Sequence, residues 1–496
     1  MTTPQPGAAV AGPRAAVPPG APGLPWRAGA PALAIAALGL AAVVAFWARA
    51  LPSPAPFEYV EGDTATWAWL WGRGADLYRA PVGLPLLVTN YPPAFLALLA
   101  RLAPSRELLL VTGRLVSLGA YLGALALLGR CAAAAGGARA WGFLAALVAA
   151  HGLRADVWAI ACRPDALAFA LGTAGVAAAS LRVRGWPFLA AACFGASIAT
   201  KHSFVVYPVG VTCWALWTDR RRGLALAAGT ALAAALVLAP RGRWDALVRH
   251  SAAAFRPPSL WNNLATYLAP SLLALGLAGL LLLRWRRLPG AARAVLGPWA
   301  AVFLCGLPWT ASLGRIGSAF NYLLELLAAA TVLATAALAN LGADGGRRAR
   351  WAGWALAIHA ALAVALTCER AHRLARDEVA AGERRLAAAG RALAAVPAEA
   401  PVLAEQTWWL TAHGRTPLAI PFLATQLAAR GLWDEEPLVE RLARGEVAVV
   451  LLEFAVDAED VDSRHHDRAS PAVRRAVRDR YRLALREGDL HAYVPR

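Results

Sequence analysis

Three carboxylates fall within six residues at Glu58, Glu61 and Asp63, in the stretch Phe57-Glu58-Tyr59-Val60-Glu61-Gly62-Asp63. A hydroxyl that attacks an electrophile must lose its proton, and a carboxylate held beside it can take that proton as a general base. Acid pairs are also common on solvated loops, so spacing alone leaves both readings open. Basic side chains form a complementary set in separate segments: Arg163, then Lys201 with His202, then Arg256, then Arg315. Such groups suit a phosphate or pyrophosphate, which arginine binds through paired contacts and lysine as a point charge. Lipid headgroups are the alternative partner for any one of them. Arg163-Pro164-Asp165 equally reads as an ion pair opening a helix, with proline in its first turn. Asn321 and Glu325, four residues apart, share one helix face. An acid that far into an apolar run faces a bundle interior or a cavity, and a structural pairing with an arginine would serve Glu325 as well.

The elements that must position these groups are apolar. Of 496 residues 58% are hydrophobic and 16% charged, against about 25% charged in an ordinary soluble protein. The apolar residues come in blocks separated by short arginine-bearing connectors, the pattern of spanning helices. The expected spans are residues 31–49, 107–130, 140–153, 164–181, 186–200, 203–218, 223–240, 265–283, 292–311, 320–340 and 350–368. The fold class is therefore an α-helical polytopic membrane protein with about eleven transmembrane helices. The net charge of +18 does not indicate nucleic acid, because many of the arginines sit in connectors, where they set topology. The six cysteines are scattered singly without metal-ligand spacing and read as packing residues. His151 and His359 lie within spans and read as packing or interfacial groups.

Topology follows from the arginines. With residues 1–28 as a disordered cytoplasmic tail, the cytoplasmic connectors hold Arg130 and Arg139, Arg182 and Arg184, Arg220 to Arg222, Arg284 to Arg293, and Arg347 to Arg350. That satisfies the positive-inside rule. It requires residues 92–103 to be a helix lying on the outer membrane surface. It also requires 186–218 to be two helices, since a lysine at the bilayer centre costs at least about 2.5–3.5 kcal/mol. The transmembrane domain then covers residues 29–368, with a large first outer loop at 51–106. The loop acids, Arg163, Lys201, His202, Arg256 and Arg315 all fall on the non-cytoplasmic side, as does everything after residue 369. Residues 369–496 alternate strand and helix patterns, with strand candidates at 401–405 and 447–454, a Trp-rich turn at Trp408 and Trp409, helices near 421–443 and 470–479, and a final strand pair. This suggests a small extracytoplasmic α/β domain. Its His465–His466 pair could hold a metal, but the flanking Asp and Ser residues favour a mobile loop.

The first loop resembles a known family. An acid followed by Gly soon after the first helix, then Gly74-Ala75-Asp76-Leu77-Tyr78, then Tyr91-Pro92-Pro93 and an apolar surface helix, is similar to the glycosyltransferase C superfamily. Within it the pattern resembles the protein mannosyltransferase and aminoarabinose transferase group, including the bacterial RgtA/B/C/D-like proteins. The resemblance implies a multi-pass enzyme of the inner membrane that takes a sugar from a polyprenyl-phosphate donor and transfers it to a hydroxyl on a glycan, lipid or protein acceptor. It implies a first-loop carboxylate as base. The family often shows Asp-Glu there, where this chain has Val60-Glu61, so Glu61 is the first expectation and Asp63 the second. Outer cations of the family hold the lipid phosphate, which carries over to Lys201 and Arg163, with His202, Arg256 and Arg315 beside them. Tyr78, Tyr91, Asn321, Tyr322 and Glu325 are the expected substrate contacts. Cations alone can stabilise the phosphate leaving group, so a divalent cation is permitted and not required. A transporter or flippase, and an inactive scaffold, are the competing readings.

Overall fold

The computed structural model describes residues 26–136, 139–251, 253–343, 347–458 and 467–496. Most of the expected N-terminal tail, and His465 with His466, lie outside the described residues. The first helices in chain order are α1 (Trp26–Ala50), α2 (Tyr59–Gly72), α3 (Pro93–Leu102), α4 (Leu109–Gly136), α5 (Arg139–Gly152), α6 (Ala155–Trp158), α7 (Pro164–Ser180) and α8 (Trp186–Thr200). They are followed by α9 (Val206–Thr218), α10 (Arg220–Leu238), α11 (Arg243–His250), α12 (Pro257–Asn263), α13 (Leu272–Leu283), α14 (Gly290–Trp309), α15 (Leu324–Ala343) and α16 (Arg347–Arg373). Each stretch expected to span is helical. Among the described residues, five helical runs are long and apolar enough to cross a membrane: Arg106–Gly136, Arg220–Leu238, Pro257–Leu283, Gly290–Gly314 and Phe320–Leu341. The bundle's outer surface carries Trp217, Leu236 and Leu283 at 92%, 70% and 87% exposure. Such apolar surface is costly in water and suited to lipid.

The chain breaks between α8 and α9 where the sequence places its lysine. Lys201 is the extended C-cap of α8. Helices α8 and α10 pack closely enough that a Cβ on Gly195 would stand 2.3 Å from the Cβ of Ala233. Helix α3, only ten residues long, reaches about 15 Å and cannot cross a core of about 30 Å. It buries Phe95, Leu96 and Leu99 and exposes Arg101.

Beyond α16 the helix does not stop. It widens into one π-helical segment at Leu374–Val379 and continues as α17 (Ala380–Ala394). The expected boundary near residue 369 therefore falls inside a continuous helical run, which Arg49 of α1 braces through an ion pair with Glu383. The remaining chain forms a four-stranded sheet from β1 (Val402–Ala404), β2 (Val449–Leu452), β3 (Tyr481–Glu487) and β4 (Leu490–Pro495). Its order is β1-β2-β4-β3, with β1 and β2 parallel and the other pairs antiparallel. A parallel pair needs a crossover, supplied here by α18 (Thr407–Thr411), α19 (Pro421–Ala428) and α20 (Glu436–Ala443). Helix α21 (Pro471–Arg480) precedes the final hairpin. The expected Trp-rich turn is the helix α18, with Trp408 and Trp409 both buried.

The sheet domain shares a core with the first loop. Trp67, Leu77, Tyr78 and Leu86 pack in one cluster with Ile420, Leu423, Trp433 and Tyr493. Backbone bonds Leu86 N to Leu418 O (2.8 Å) and Ile420 N to Leu86 O (3.2 Å) stitch the two together. The Trp408 indole donates to Pro54 O at 2.8 Å. The first loop and the C-terminal region, distant in sequence, thus form one layer on one end of the helical bundle.

Candidate active site

A cavity lies between that end of the bundle and the C-terminal layer. Arg163, Lys201, His202, Arg315, Asn321 and Tyr322 line its bundle side. Tyr91 and Asn90 of the first loop, and Phe422, Leu423 and Gln426 of α19, line the rest. Helix geometry explains the convergence. Arg163 is the N-cap of α7 and Lys201 the C-cap of the antiparallel α8, so the two cations emerge side by side. Asn321 and Tyr322 sit in the turn that opens α15.

An ion-pair network fixes these groups. Asp165, in the first turn of α7, accepts from Lys201 Nζ and from Asn321 Nδ2 (2.7 Å) on Oδ1, and from Arg163 Nε (3.1 Å) on Oδ2. The expected Arg163–Asp165 pair is thus present, and it does not remove Arg163 from the cavity. Arg163 also pairs with Glu58 Oε1 (3.1 Å), donates to the Tyr91 hydroxyl (3.3 Å) and stacks over Trp158 at 4.8 Å. Lys201 Nζ stands 5.4 Å from the Tyr91 ring and 5.9 Å from the Tyr322 ring. Burial pushes the lysine down to about 8, with Asp165 opposing. Burial also pushes His202 down to about 4, so its imidazole is neutral at physiological pH. Arg315 donates to Ser251 O and has no carboxylate partner among the described residues.

The three first-loop carboxylates have separate fates. Both oxygens of Glu61 are engaged: Oε1 by Arg114 Nε (2.9 Å) and the Cys162 N–H (2.8 Å), Oε2 by Arg114 Nη2 and the Phe57 N–H (both 3.0 Å). Glu61 is fully buried and pins the first loop to α4 and to the turn that precedes α7. Asp63 is 3% exposed and accepts from the Thr407 hydroxyl at 2.6 Å, beneath α18. Burial raises it to about 7. Glu58, the N-cap of α2, keeps 27% of its side chain open and touches a cavity residue through Arg163. Burial raises its carboxyl above the usual range, with Arg163 opposing.

Other expected site residues lie elsewhere. The Arg256 guanidinium is 55% exposed and faces Asp467 at 4.0 Å, off the cavity lining. Tyr78 is buried off the cavity lining and donates to Tyr91 O at 2.8 Å, which supports the loop. Glu325 accepts from Tyr207 N at 2.7 Å and so ties down the start of α9. His151 bonds Ala36 O, and His359 lines an apolar pocket among the helices. All six cysteines are free. No group of three metal-ligating side chains occurs among the described residues.

The sequence reading missed Arg114, Asn90 and Gln426. Arg114 had a legible signal, an arginine well inside an expected span, which demands a buried partner. Gln426 had none, because only the fold brings α19 over the bundle.

No family model and no characterised protein matches the sequence. Solved structures match at the level of fold. The structure of ArnT from Cupriavidus metallidurans bound to undecaprenyl phosphate aligns with a TM-score of 0.55 and 14% identity, over 92% of this chain and 97% of that one. Its apo state aligns at 0.53 and 14%, with the same coverage. The archaeal oligosaccharyltransferase AglB from Archaeoglobus fulgidus, in complex with an inhibitory peptide and a dolichol-phosphate, aligns at 0.52 and 12%, over 92% of this chain and 74% of that one. This chain shares the fold of these structures.

Proposed function

We propose that this chain, built on the glycosyltransferase C fold, is a membrane glycosyltransferase that moves a sugar from a polyprenyl-phosphate carrier to a hydroxyl acceptor. One observation carries the reading. Arg163, Lys201 and Arg315, from three separate elements, meet in a single cavity at one end of the bundle, in a fold that in ArnT holds undecaprenyl phosphate. The arginine-rich connectors lie at the opposite end, so the positive-inside rule turns the cavity and the C-terminal layer away from the cytoplasm. A transporter would gather its ionisable groups near the midplane of the bundle, and here they gather at one end.

In the proposed reaction the acceptor O–H gives its proton to Glu58. The acceptor oxygen attacks the anomeric carbon, and the bond from that carbon to the phosphate oxygen breaks with its electron pair leaving on the phosphate. Arg163, Lys201 and Arg315 stabilise the developing charge. Displacement from the opposite face inverts the anomeric centre. Glu58 takes the base role because Glu61 is spent on Arg114 and Asp63 lies under the C-terminal layer. The acceptor is a glycan, lipid or protein hydroxyl, and a divalent cation is not required by this arrangement of charges.

The test is transfer by purified protein in lipid nanodiscs, supplied with a panel of radiolabelled polyprenyl-phosphate sugars. Glu58→Gln should lower turnover by roughly 10²–10⁴-fold, the usual worth of a general base, while donor binding survives. Lys201→Met should weaken donor binding itself. A panel in which no lipid-linked sugar is bound or consumed sinks the enzyme class. Full activity in Glu58→Gln moves the base elsewhere.

A further inference from the structure

The cavity wall has two chemistries. Its charged part is Arg163, Lys201 and Arg315, and the carboxylates of Glu58 and Asp165, outside the lining, pair with the first two. Three cations and two carboxylates leave one positive charge, which a single phosphodiester would neutralise. The remaining polar lining is neutral. Asn90 Oδ1, Asn321 Oδ1 and His202 Nδ1 are buried without a protein hydrogen-bond partner. Gln426, 7% exposed on α19, lines the same cavity. Buried polar atoms left unmatched are destabilising, and such atoms clustered round one cavity mark a ligand that matches them.

We propose that this neutral rim binds the hydroxyl groups of an uncharged sugar, with Gln426 of the C-terminal domain as the specificity-determining contact. The inference rests on the lipid-phosphate reading above and narrows it to a substrate class. A hydroxyl both donates and accepts, so it satisfies amide oxygens and a neutral imidazole alike. An ammonium on the sugar would find no carboxylate among the lining residues to pair with. A carboxylate on the sugar would compete with the phosphate for the one uncompensated charge. Phe422, next to Gln426 on the same wall, offers the apolar face against which a sugar ring packs.

The experiment measures binding, so that it does not depend on knowing the acceptor. The full chain in nanodiscs is titrated with bare undecaprenyl phosphate and with the same lipid carrying glucose, mannose or galactose, 4-amino-arabinose, or galacturonic acid. At least one neutral sugar should tighten binding over the bare lipid by about tenfold, the upper range for a neutral hydrogen bond. The amino sugar and the uronic acid should bring no gain. Gln426→Leu should abolish the neutral-sugar gain and leave affinity for bare undecaprenyl phosphate unchanged, which also shows the variant to be folded. The inference is overturned if a charged sugar gains as much, if no neutral sugar gains, or if Gln426→Leu weakens the bare lipid equally. Failure of bare undecaprenyl phosphate to bind would overturn the lipid-phosphate reading first, and this one with it.

Discussion

Glu61→Gln separates a structural acid from a catalytic one. In the folded chain Glu61 and Arg114 are both fully buried and joined through two contacts of 2.9 and 3.0 Å. Arg114 spends its remaining donors on the carbonyls of Ala50 (2.7 Å), Ser53 (2.6 Å) and Ala55 (2.8 Å). A glutamine keeps the shape but turns one acceptor into a donor, which must face a guanidinium or a backbone N–H. It also leaves the arginine charge buried without a counter-ion. Breaking a buried pair in this way costs about 3–5 kcal/mol. That corresponds to a fall in apparent melting temperature on the order of 5 °C or more. Large membrane proteins tend to unfold irreversibly, so midpoints are compared at one scan rate, by tryptophan fluorescence in detergent. Glu61→Gln combined with Arg114→Met removes both charges and should recover part of the loss, because residues in contact do not behave additively. Turnover per folded molecule should fall far less than in Glu58→Gln. An unchanged melting temperature with turnover reduced a hundredfold would refute the reasoning and return Glu61 to the reaction.

Further outcomes follow from the same geometry. Asp63 has a folded-state value raised from 3.8 to about 7, so its contribution to stability is complete below pH 3.8 and is lost as pH rises to 7. Asp63→Asn should therefore melt higher than wild type at pH 8.5, by at most about 4 kcal/mol, and show a smaller gain at pH 5; the reverse order in paired melts counts against a buried, protonated Asp63. At Gly113 a Cβ would stand 2.2 Å from Cys162 Sγ, so Gly113→Ala should cost roughly 1–3 kcal/mol from overpacking, read as a lowered melting midpoint. Arg315→Gln should weaken binding of undecaprenyl phosphate several-fold more than Arg256→Gln, whose half-exposed guanidinium faces Asp467; equal effects would put Arg256 back in the site.

How much of this was legible depended on the range of the interaction. Helices at 164–180, 186–200 and 290–309 follow from apolar run length and the charges that bound it, both local properties. The break at Lys201 was legible for the same reason, since one lysine in an apolar run has a known cost. The cluster of Arg163, Lys201, Arg315, Asn321 and Tyr322 followed from topology, which places chain segments at one end without fixing contacts. The separate surroundings of Glu58, Glu61 and Asp63 were not legible. All three sit within two turns of chain, and their partners Arg163, Arg114 and Thr407 lie at sequence separations no periodicity reports. The family pattern favours Glu61, and the burial of Glu61 against Arg114 is what the proposal of Glu58 as base rests on. Residues far beyond the bundle, Phe422 and Gln426, entered the site only through the shared core of first loop and sheet.

The unbroken helical run from Arg347 to Ala394 makes the alignment of that wall a matter of residue count. One residue added between its ends would turn everything beyond it by about 100° and lift it by about 1.5 Å. That turn would set the sheet domain against the core it shares with the first loop, and an addition ahead of Glu383 would also cost the pair Arg49–Glu383 its register. The segment thus behaves as a crankshaft of fixed phase. Substitutions along its exposed side leave the phase intact, whereas a single insertion or deletion sets that phase against the first-loop contacts that hold Gln426 over Lys201.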